Sequence, residues 1–145
     1  MQKYVFLALL LFLTACSVKY VEFKEDSLSV QYPDWQKVSS GNNIISVQKG
    51  SCKVDIGIQD SKFNPSGSNI KIAVDISIIP ALRRAGLSVD YTLSEKEAVL
   101  ELAGNNVYGK QKYIACNNKL YKVSAACSKN DAVIDYVINS AKCSA

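Results

Sequence analysis

Five cysteines and no histidine set the limits on the chemistry that this chain of 145 residues can perform. Without an imidazole, the Ser-His-Asp and Cys-His catalytic arrangements and every metal site that needs a histidine ligand are excluded. The cysteines form no CxxC motif, so a thioredoxin-type redox site and a zinc ribbon are also unsupported. We therefore assign no catalytic residue, no metal site and no cofactor, and expect a protein that is not an enzyme.

The first cysteine, Cys16, directly follows a segment typical of an export signal. Met1–Lys3 carries a positive charge, and Tyr4–Leu13 is a run of ten apolar residues, which is too short to span a bilayer as a helix. The Leu-Thr-Ala-Cys sequence that ends at Cys16 resembles a prokaryotic lipobox, in which small residues precede a cysteine that becomes acylated. We predict that residues 1–15 are a lipoprotein signal peptide and that Cys16 is the lipidation site. The alternative is an ordinary signal peptide cut after Ala15, with Cys16 left as a free thiol.

We expect the lipid at Cys16 to attach the chain to the membrane surface without a segment that spans the bilayer. A diacylated cysteine, carrying palmitate or a similar acid, supplies the two acyl chains that stable attachment requires. Residues 16–26 are predicted to be the lipid anchor and a short tether, although residues 17–26 also fit a first edge strand. Ten extended residues reach about 33 Å. We thus expect the folded part to lie close to the extracytoplasmic face of the cell membrane or outer membrane.

The charge balance does not indicate a nucleic-acid-binding protein. The chain carries 17 basic and 13 acidic side chains, a net charge of +4, with no basic tail. Lys110, Lys112, Lys119 and Lys122 lie around one predicted hairpin, where they could contact anionic lipid headgroups. A solvated strand face is the favoured interpretation, since lysines also protect sheet edges from aggregation.

Two further groups of side chains have both a binding and a structural interpretation. Trp35 could stack on a ligand, but a tryptophan beside Pro33 at a strand end is more often a core anchor. Glu22, Glu25 and Asp26 could bind Ca²⁺, but no EF-hand spacing supports this. We favour the structural interpretation in both cases.

Residues 27–145 are predicted to form a single α+β domain that opens with strands. Apolar alternation predicts a strand over residues 28–32. Two β-branched runs, Ile44–Val47 and Cys52–Ile58, predict a hairpin, and Ser61–Asn69 has the composition of a loop.

The middle of the chain is less regular. A helix is predicted from Ser77 to Ala85 with Pro80 in its first turn, where proline is tolerated, and residues 70–76 remain open between helix and strand. Ser88–Leu93 alternates as a strand. Residues 94–103 contain a capping box that would begin a short helix, but we favour a strand.

The strongest hairpin in the sequence joins Val107–Cys116 to Lys119–Cys127 through Asn117-Asn118, a pair that tolerates positive φ angles. The expected register places Ile114 opposite Tyr121 and Lys112 opposite Val123. A closing helix over residues 131–142 follows, capped by Ser128 or Asn130. Its apolar stripe consists of Val133, Ile134, Val137, Ile138 and Ala141.

The four cysteines after Cys16 form an even set, which outside the cytoplasm favours two disulfides. Cys116 and Cys127 lie at opposite ends of the hairpin, about 27 Å apart at strand rise, so they cannot pair with each other. A closing helix that folds back antiparallel returns about 18 Å and brings Cys143 towards Cys116. We therefore predict a Cys116–Cys143 disulfide and, by elimination, a Cys52–Cys127 disulfide.

The order of these features resembles the PsbP-like family, which includes the photosystem II extrinsic protein, the Ran-binding factor Mog and many prokaryotic lipoproteins. The quoted segments are Tyr32-Pro33-Asp34-Trp35, a Gly-Asn-Asn turn near residue 105, Leu120-Tyr121-Lys122-Val123 and a final Ile138-Asn139-Ser140. The resemblance implies a central antiparallel β-sheet flanked by helices in an α/β/α sandwich, with the C-terminal helix packed on the sheet. It covers residues 27–142, and no catalytic residue or partner carries over from it.

The resemblance also implies a class of function, because the family consists mostly of binding and assembly factors. We expect a membrane-anchored, extracytoplasmic, non-catalytic lipoprotein of the cell envelope that binds a protein partner or aids envelope assembly. The alternative is a lipoprotein that binds a small ligand or a glycan. An exposed apolar patch would favour the first function, and a deep apolar pocket with a few polar groups would favour the second.

Mass spectrometry of the native N-terminus tests the lipidation of Cys16. We expect a mature chain that begins at Cys16 and carries the mass of its acyl chains. An unmodified Cys16, or a mature chain that retains residues 1–15, would contradict both the anchor and the expected location.

Overall fold

The computed structural model describes residues 17–39, 41–64 and 67–144. Cys16 and residues 1–15, where we predict the lipid and the signal peptide, lie outside the described residues. The strands, in chain order, are β1 Tyr20–Glu25, β2 Leu28–Pro33, β3 Gln36–Lys37, β4 Asn43–Lys49, β5 Cys52–Asp60, β6 Ser88–Leu93, β7 Glu97–Gly104, β8 Val107–Cys116, β9 Lys119–Cys127 and β10 Lys142–Cys143. The helices are α1 Gly67–Ala73, α2 Ile79–Arg84 and α3 Ala132–Ser140, with a π-helical turn at Val74–Ile78 between α1 and α2.

Two antiparallel sheets organise these elements into layers. The larger sheet has seven strands in the order β3-β4-β5-β9-β8-β7-β6, and the smaller has the order β1-β2-β10. The smaller sheet and α3 cover one face of the larger sheet, while the segment from α1 to α2 covers part of the other face. The predicted α+β class, with helices on both sides of an antiparallel sheet, is therefore confirmed.

Strand β1 changes the predicted extent of the tether. Residues 20–25, which lie within the predicted anchor and tether of residues 16–26, pair with β2 along their whole length, from Tyr20 opposite Pro33 to Glu25 opposite Leu28. The edge-strand interpretation of this segment is thus the one that the structure shows. The folded domain begins at β1 instead of at residue 27, and only residues 17–19 remain as described tether.

The β8–β9 hairpin forms as the alternation predicts. Ile114 lies opposite Tyr121 and Lys112 opposite Val123. Asn117 and Asn118 have φ angles of 47° and 59°, the left-handed conformation that this tight turn requires. One face of the hairpin packs on α3, and its apolar residues are buried with those of α3 and β2 in one core cluster.

Helix α3 buries the predicted stripe of Val133, Ile134, Val137 and Ile138. Its N-cap differs from the prediction of Ser128 or Asn130. The carboxylate of Asp131 accepts the backbone N–H of Val133 at 3.0 Å, so the helix begins at Ala132.

The prediction of a helix that begins at Ser77 is wrong, because the helical segment already begins at Gly67 and includes residues 70–76. A proline within a helix lacks a donor, and its ring crowds the carbonyl four residues earlier. Here the turn before Pro80 is π-helical, and the N–H of Ile79 bonds to the carbonyl of Val74. The wider turn lets the helix pass Pro80, while Ile70, Val74 and Ile79 are buried in a second core cluster.

Strand β7 settles the alternative at residues 94–103 in favour of the strand. Glu97, which a capping box would place in the first turn of a helix, lies opposite Ile114 in β8. Ser94 closes the β6–β7 turn, because its N–H donates to the carbonyl of Glu97 at 2.9 Å.

Lys112 is a buried cation that fixes the end of α3 to the larger sheet. Its Nζ donates a 2.7 Å hydrogen bond to the carbonyl of Ala141, which follows the helix, and lies 3.1 Å from the carboxylate of Glu97. Since both the charge and the carbonyl are shielded from water, each depends on the other for a partner.

Replacing this lysine tests the contact. Lys112→Met keeps most of the buried methylene chain but leaves the carbonyl of Ala141 without its donor, so we expect a loss of about 1–3 kcal/mol in the free energy of unfolding. The free energy of unfolding is measured by urea denaturation, and Lys62→Met, which replaces an exposed lysine, is the matched control. Equal stability of the two variants would show that Lys112 does not fasten the helix.

Candidate functional site

The structure brings the four described cysteines together in two pairs. The sulfur atoms of Cys52 and Cys127 are at bonding distance, with their Cα atoms 4.0 Å apart, and those of Cys116 and Cys143 likewise, with Cα atoms 5.8 Å apart. The first pair joins the start of β5 to the end of its neighbour β9. The second pair joins the end of β8 to β10. The pairs therefore lie at opposite ends of the β8–β9 hairpin.

One of these pairs also lies near a carboxylate. A carboxylate oxygen of Asp131 and the sulfur atoms of Cys52 and Cys127 all lie within 4.8 Å of one another. Zinc binds cysteine as thiolate, and sulfur atoms that are bonded to each other are not thiolates. In its paired state this group is a structural cross-link next to the cap of α3.

The lysines of the hairpin do not form the solvated face that we predicted. Lys110 is bound by two carboxylates, with its Nζ 2.7 Å from Glu101 and 2.9 Å from Asp135. Hydrogen bonds to both carboxylates raise the pKa of Lys110. With Lys112 buried beside it, this side of β8 holds α3 by ion pairs and hydrogen bonds, and leaves little free charge for a ligand.

Asp26, one of the three acidic residues considered as calcium ligands, has protein partners instead. Its carboxylate accepts hydrogen bonds from the Nζ of Lys119 at 2.6 Å and the hydroxyl of Tyr121 at 2.8 Å. These bonds lower the pKa of Asp26, the one to Lys119 most. Glu22 similarly accepts a hydrogen bond from Ser29 at 2.9 Å. The two carboxylates tie the small sheet together and to the hairpin.

Lys122 lies on the face of the larger sheet that is turned away from α3, on the same face as the polar side chains of Ser46, Lys53 and Asp55. The hydroxyl of Ser46 donates to Asp55, whose carboxylate is also 3.2 Å from the Nζ of Lys53. Burial lowers the pKa of Lys122, and the charge of Asp55 partly offsets this. Ser46, Lys53 and Asp55 therefore bind one another, and the serine hydroxyl donates to a carboxylate that is already ion-paired.

Trp35 packs at the edge of the main core, as the anchor interpretation expects. It also lines an open surface cavity of about 570 Å³ with Asp34, Gln48, Lys49 and Gly50. Two other surface cavities in the described residues are smaller, at about 260 and 430 Å³. Charged and amide side chains contribute to the walls of each, so these cavities differ from the deep apolar pocket that a ligand-binding function would favour.

An exposed apolar patch lies on the outer surface of the helical segment. Ile72 and Ile76, one turn apart, are 53% and 70% exposed, and Tyr91 of β6 is also exposed. Tyr91 follows Val89 by two residues, so both side chains leave the same face of β6, and Val89 is buried in one cluster with Ile70 and Val74 of the helical segment. Lys71 of this segment forms an ion pair with Asp75. We call Ile72, Ile76 and Tyr91 the helix patch. The sequence did not indicate it, because residues 70–76 were not assigned to a helix.

Peptide mapping without reductant tests the cysteine pairing. We expect two cross-linked peptides, one containing Cys52 and Cys127 and the other Cys116 and Cys143. Each disulfide is expected to contribute about 2–4 kcal/mol to the free energy of unfolding. A Cys127–Cys143 peptide, or four free thiols in the exported protein, would contradict the arrangement.

Comparison with known proteins adds evidence on the fold. The sequence matches no protein-family model and no curated protein sequence. The structure is similar to the solution structure of cyanobacterial PsbP (CyanoP) from Synechocystis sp. PCC 6803, with a TM-score of 0.58 and 13% sequence identity. The match covers 88% of this chain and 93% of that chain. The resemblance seen in the sequence is therefore confirmed at the level of structure, and this chain has a PsbP-like fold.

Proposed function

We propose that this protein is a lipid-anchored, non-catalytic component of the cell envelope whose domain binds a protein partner or aids envelope assembly on the extracytoplasmic face of the membrane. The helix patch is the observation that carries this proposal. Two isoleucines one turn apart leave large apolar side chains in water, and Tyr91, on the face of β6 that the helical segment packs against, is exposed as well. Exposed apolar side chains grouped on one surface favour a protein-interaction site.

The location rests on two supports. Cys16 ends a lipobox-like sequence after an apolar run, which supports attachment through lipid. The two pairs of sulfur atoms at bonding distance support an oxidising compartment. None of the helices in the described residues is long and apolar enough to cross a membrane.

A binding role agrees with the chemistry of the polar side chains. The chain has no histidine, and the cations of β8 are bound by carboxylates or a backbone carbonyl. Acid–base catalysis needs a group whose proton is free to move at a substrate. The proposal requires no cofactor.

The small-ligand or glycan alternative is favoured by one observation, the cavity beside Trp35. An aromatic side chain next to an aspartate, a glutamine and a lysine combines a stacking surface with hydrogen-bonding groups. Trp35→Ala separates the two functions, because it should abolish glycan binding and leave binding at the helix patch intact.

Crosslinking in the native host tests the helix patch. A photoreactive amino acid at position 72 should give a discrete crosslinked species with the partner. Adding Ile76→Glu should weaken this crosslink at least fivefold, since a charge in the centre of an apolar contact costs more than about 1 kcal/mol of binding.

Ile44→Glu is the matched control, because Ile44 is an exposed isoleucine in β4, far along the sheet from the helix patch. Both substitutions replace exposed side chains, so each should change the free energy of unfolding by only about 0.5 kcal/mol. Equal crosslinking in the Ile76→Glu and Ile44→Glu variants would exclude the helix patch as the docking surface.

A further inference from the structure

We propose that the end of the domain from which the tether leaves lies against anionic lipid headgroups of the membrane that holds the anchor. We call this surface the tether end and define it as Lys19, Trp35, Lys49, Tyr108 and Lys129. The inference rests on the proposed lipid at Cys16. It adds a second, electrostatic contact with the bilayer and a fixed orientation of the domain.

The tether begins beside Trp35 and cannot extend far from the membrane. The carbonyl of Lys19 accepts a 2.8 Å hydrogen bond from the N–H of Asp34, which fixes the start of the domain next to Trp35. Residues 17–19 are the described tether between Cys16 and β1. Three extended residues reach about 10 Å, so Lys19, where the tether joins the domain, must stay within about that distance of an anchored Cys16.

The other members of the tether end are brought to the same place by the strands. Lys49 lies opposite Cys52 in the β4–β5 hairpin, and Cys52 pairs with Cys127, whose Cα is 4.0 Å away. Tyr108 of β8 lies opposite Cys127. The loop with Lys129 is held here as well, because the hydroxyl of Ser128 lies 2.8 Å from that of Ser51.

Charge distinguishes these lysines from those of the hairpin. Lys49 and Lys129 are exposed, and neither belongs to an ion pair found in the described residues. Lys19 is exposed and, among the described residues, forms an ion pair with the exposed Asp34 at 3.3 Å. Lysines that approach an anionic leaflet each strengthen binding by roughly fivefold.

Aromatic side chains occur at the same end. Tyr108 is 47% exposed, and Trp35 lines the cavity next to Lys49. Beside the tether, Tyr20 contacts Tyr136 of α3 with ring centroids 4.0 Å apart. Tryptophan and tyrosine are enriched at the level of lipid headgroups, where one part of the ring is apolar and another is wet.

The single tryptophan of the chain makes the test direct. The mature lipidated protein is reconstituted into phosphatidylglycerol vesicles or into phosphatidylcholine vesicles, and quenching of Trp35 fluorescence by aqueous acrylamide and by brominated lipid is measured. We expect Trp35 to be shielded from acrylamide and quenched by brominated lipid in phosphatidylglycerol vesicles, and to lose both effects in phosphatidylcholine vesicles or in high salt.

Two triple variants complete the experiment. Lys19→Gln, Lys49→Gln and Lys129→Gln together should lower the ratio of docked to undocked protein on the order of a hundredfold. The control combines Lys62→Gln, Lys96→Gln and Lys142→Gln, which remove the same charge at the opposite end. There the carbonyl of Lys96 bonds to Ala115, Lys142 lies opposite Ser29, and Lys62 precedes Phe63, which bonds to the turn at Asn118. The control should leave the shielding unchanged.

Flotation of the vesicles separates the two proposals. Protein that floats with the vesicles but leaves Trp35 open to acrylamide, or that responds equally to both triple variants, overturns the docked orientation while the lipid anchor stands. Equal shielding in phosphatidylcholine vesicles overturns the role of anionic headgroups. Protein that does not float has no lipid anchor, and that result overturns both proposals.

Discussion

The β8–β9 hairpin is the constraint on which the rest of the structure depends, because it is buried on both faces and cross-linked at both ends. One face contributes Ile114, Tyr121 and Val123 to the core under α3, and the other contributes Tyr113 and Leu120 to the core under the helical segment. Two layers therefore take their positions from one pair of strands. The cysteine pairs then join the ends of this pair to β5 and β10.

The polar contacts of the hairpin serve the same purpose and direct attention to other surfaces. Lys110 and Lys112 hold α3, and Lys119 holds the β1–β2 turn through Asp26. Cations that already have carboxylate or carbonyl partners are poor candidates for ligand recognition. The exposed side chains that we assign to binding lie elsewhere, in the apolar helix patch and in the exposed lysines and aromatic rings of the tether end.

The sequence was informative where local patterns and packing agree. Pairing across the Asn117-Asn118 turn placed Ile114 opposite Tyr121 and Lys112 opposite Val123, and the structure has this register. It was less informative where one residue acts against its surroundings: Pro80 suggested a helix start, but a π-helical turn carries the helix through it. The helix patch was also missed, because residues 70–76 were not assigned to this helix. The edge strand β1 was one of two interpretations of residues 17–26, and its pairing with β2 decides between them.

Hydrogen exchange measured with and without mild reduction tests the central role of the hairpin most directly. If the hairpin is the frame and the cysteine pairs fasten other elements to it, reduction should speed exchange at Lys142–Cys143 and in the facing part of β2. Under the same conditions the amides of the β8–β9 ladder should stay slow. A loss of protection that begins in the hairpin, or that is uniform along the chain, would contradict this account.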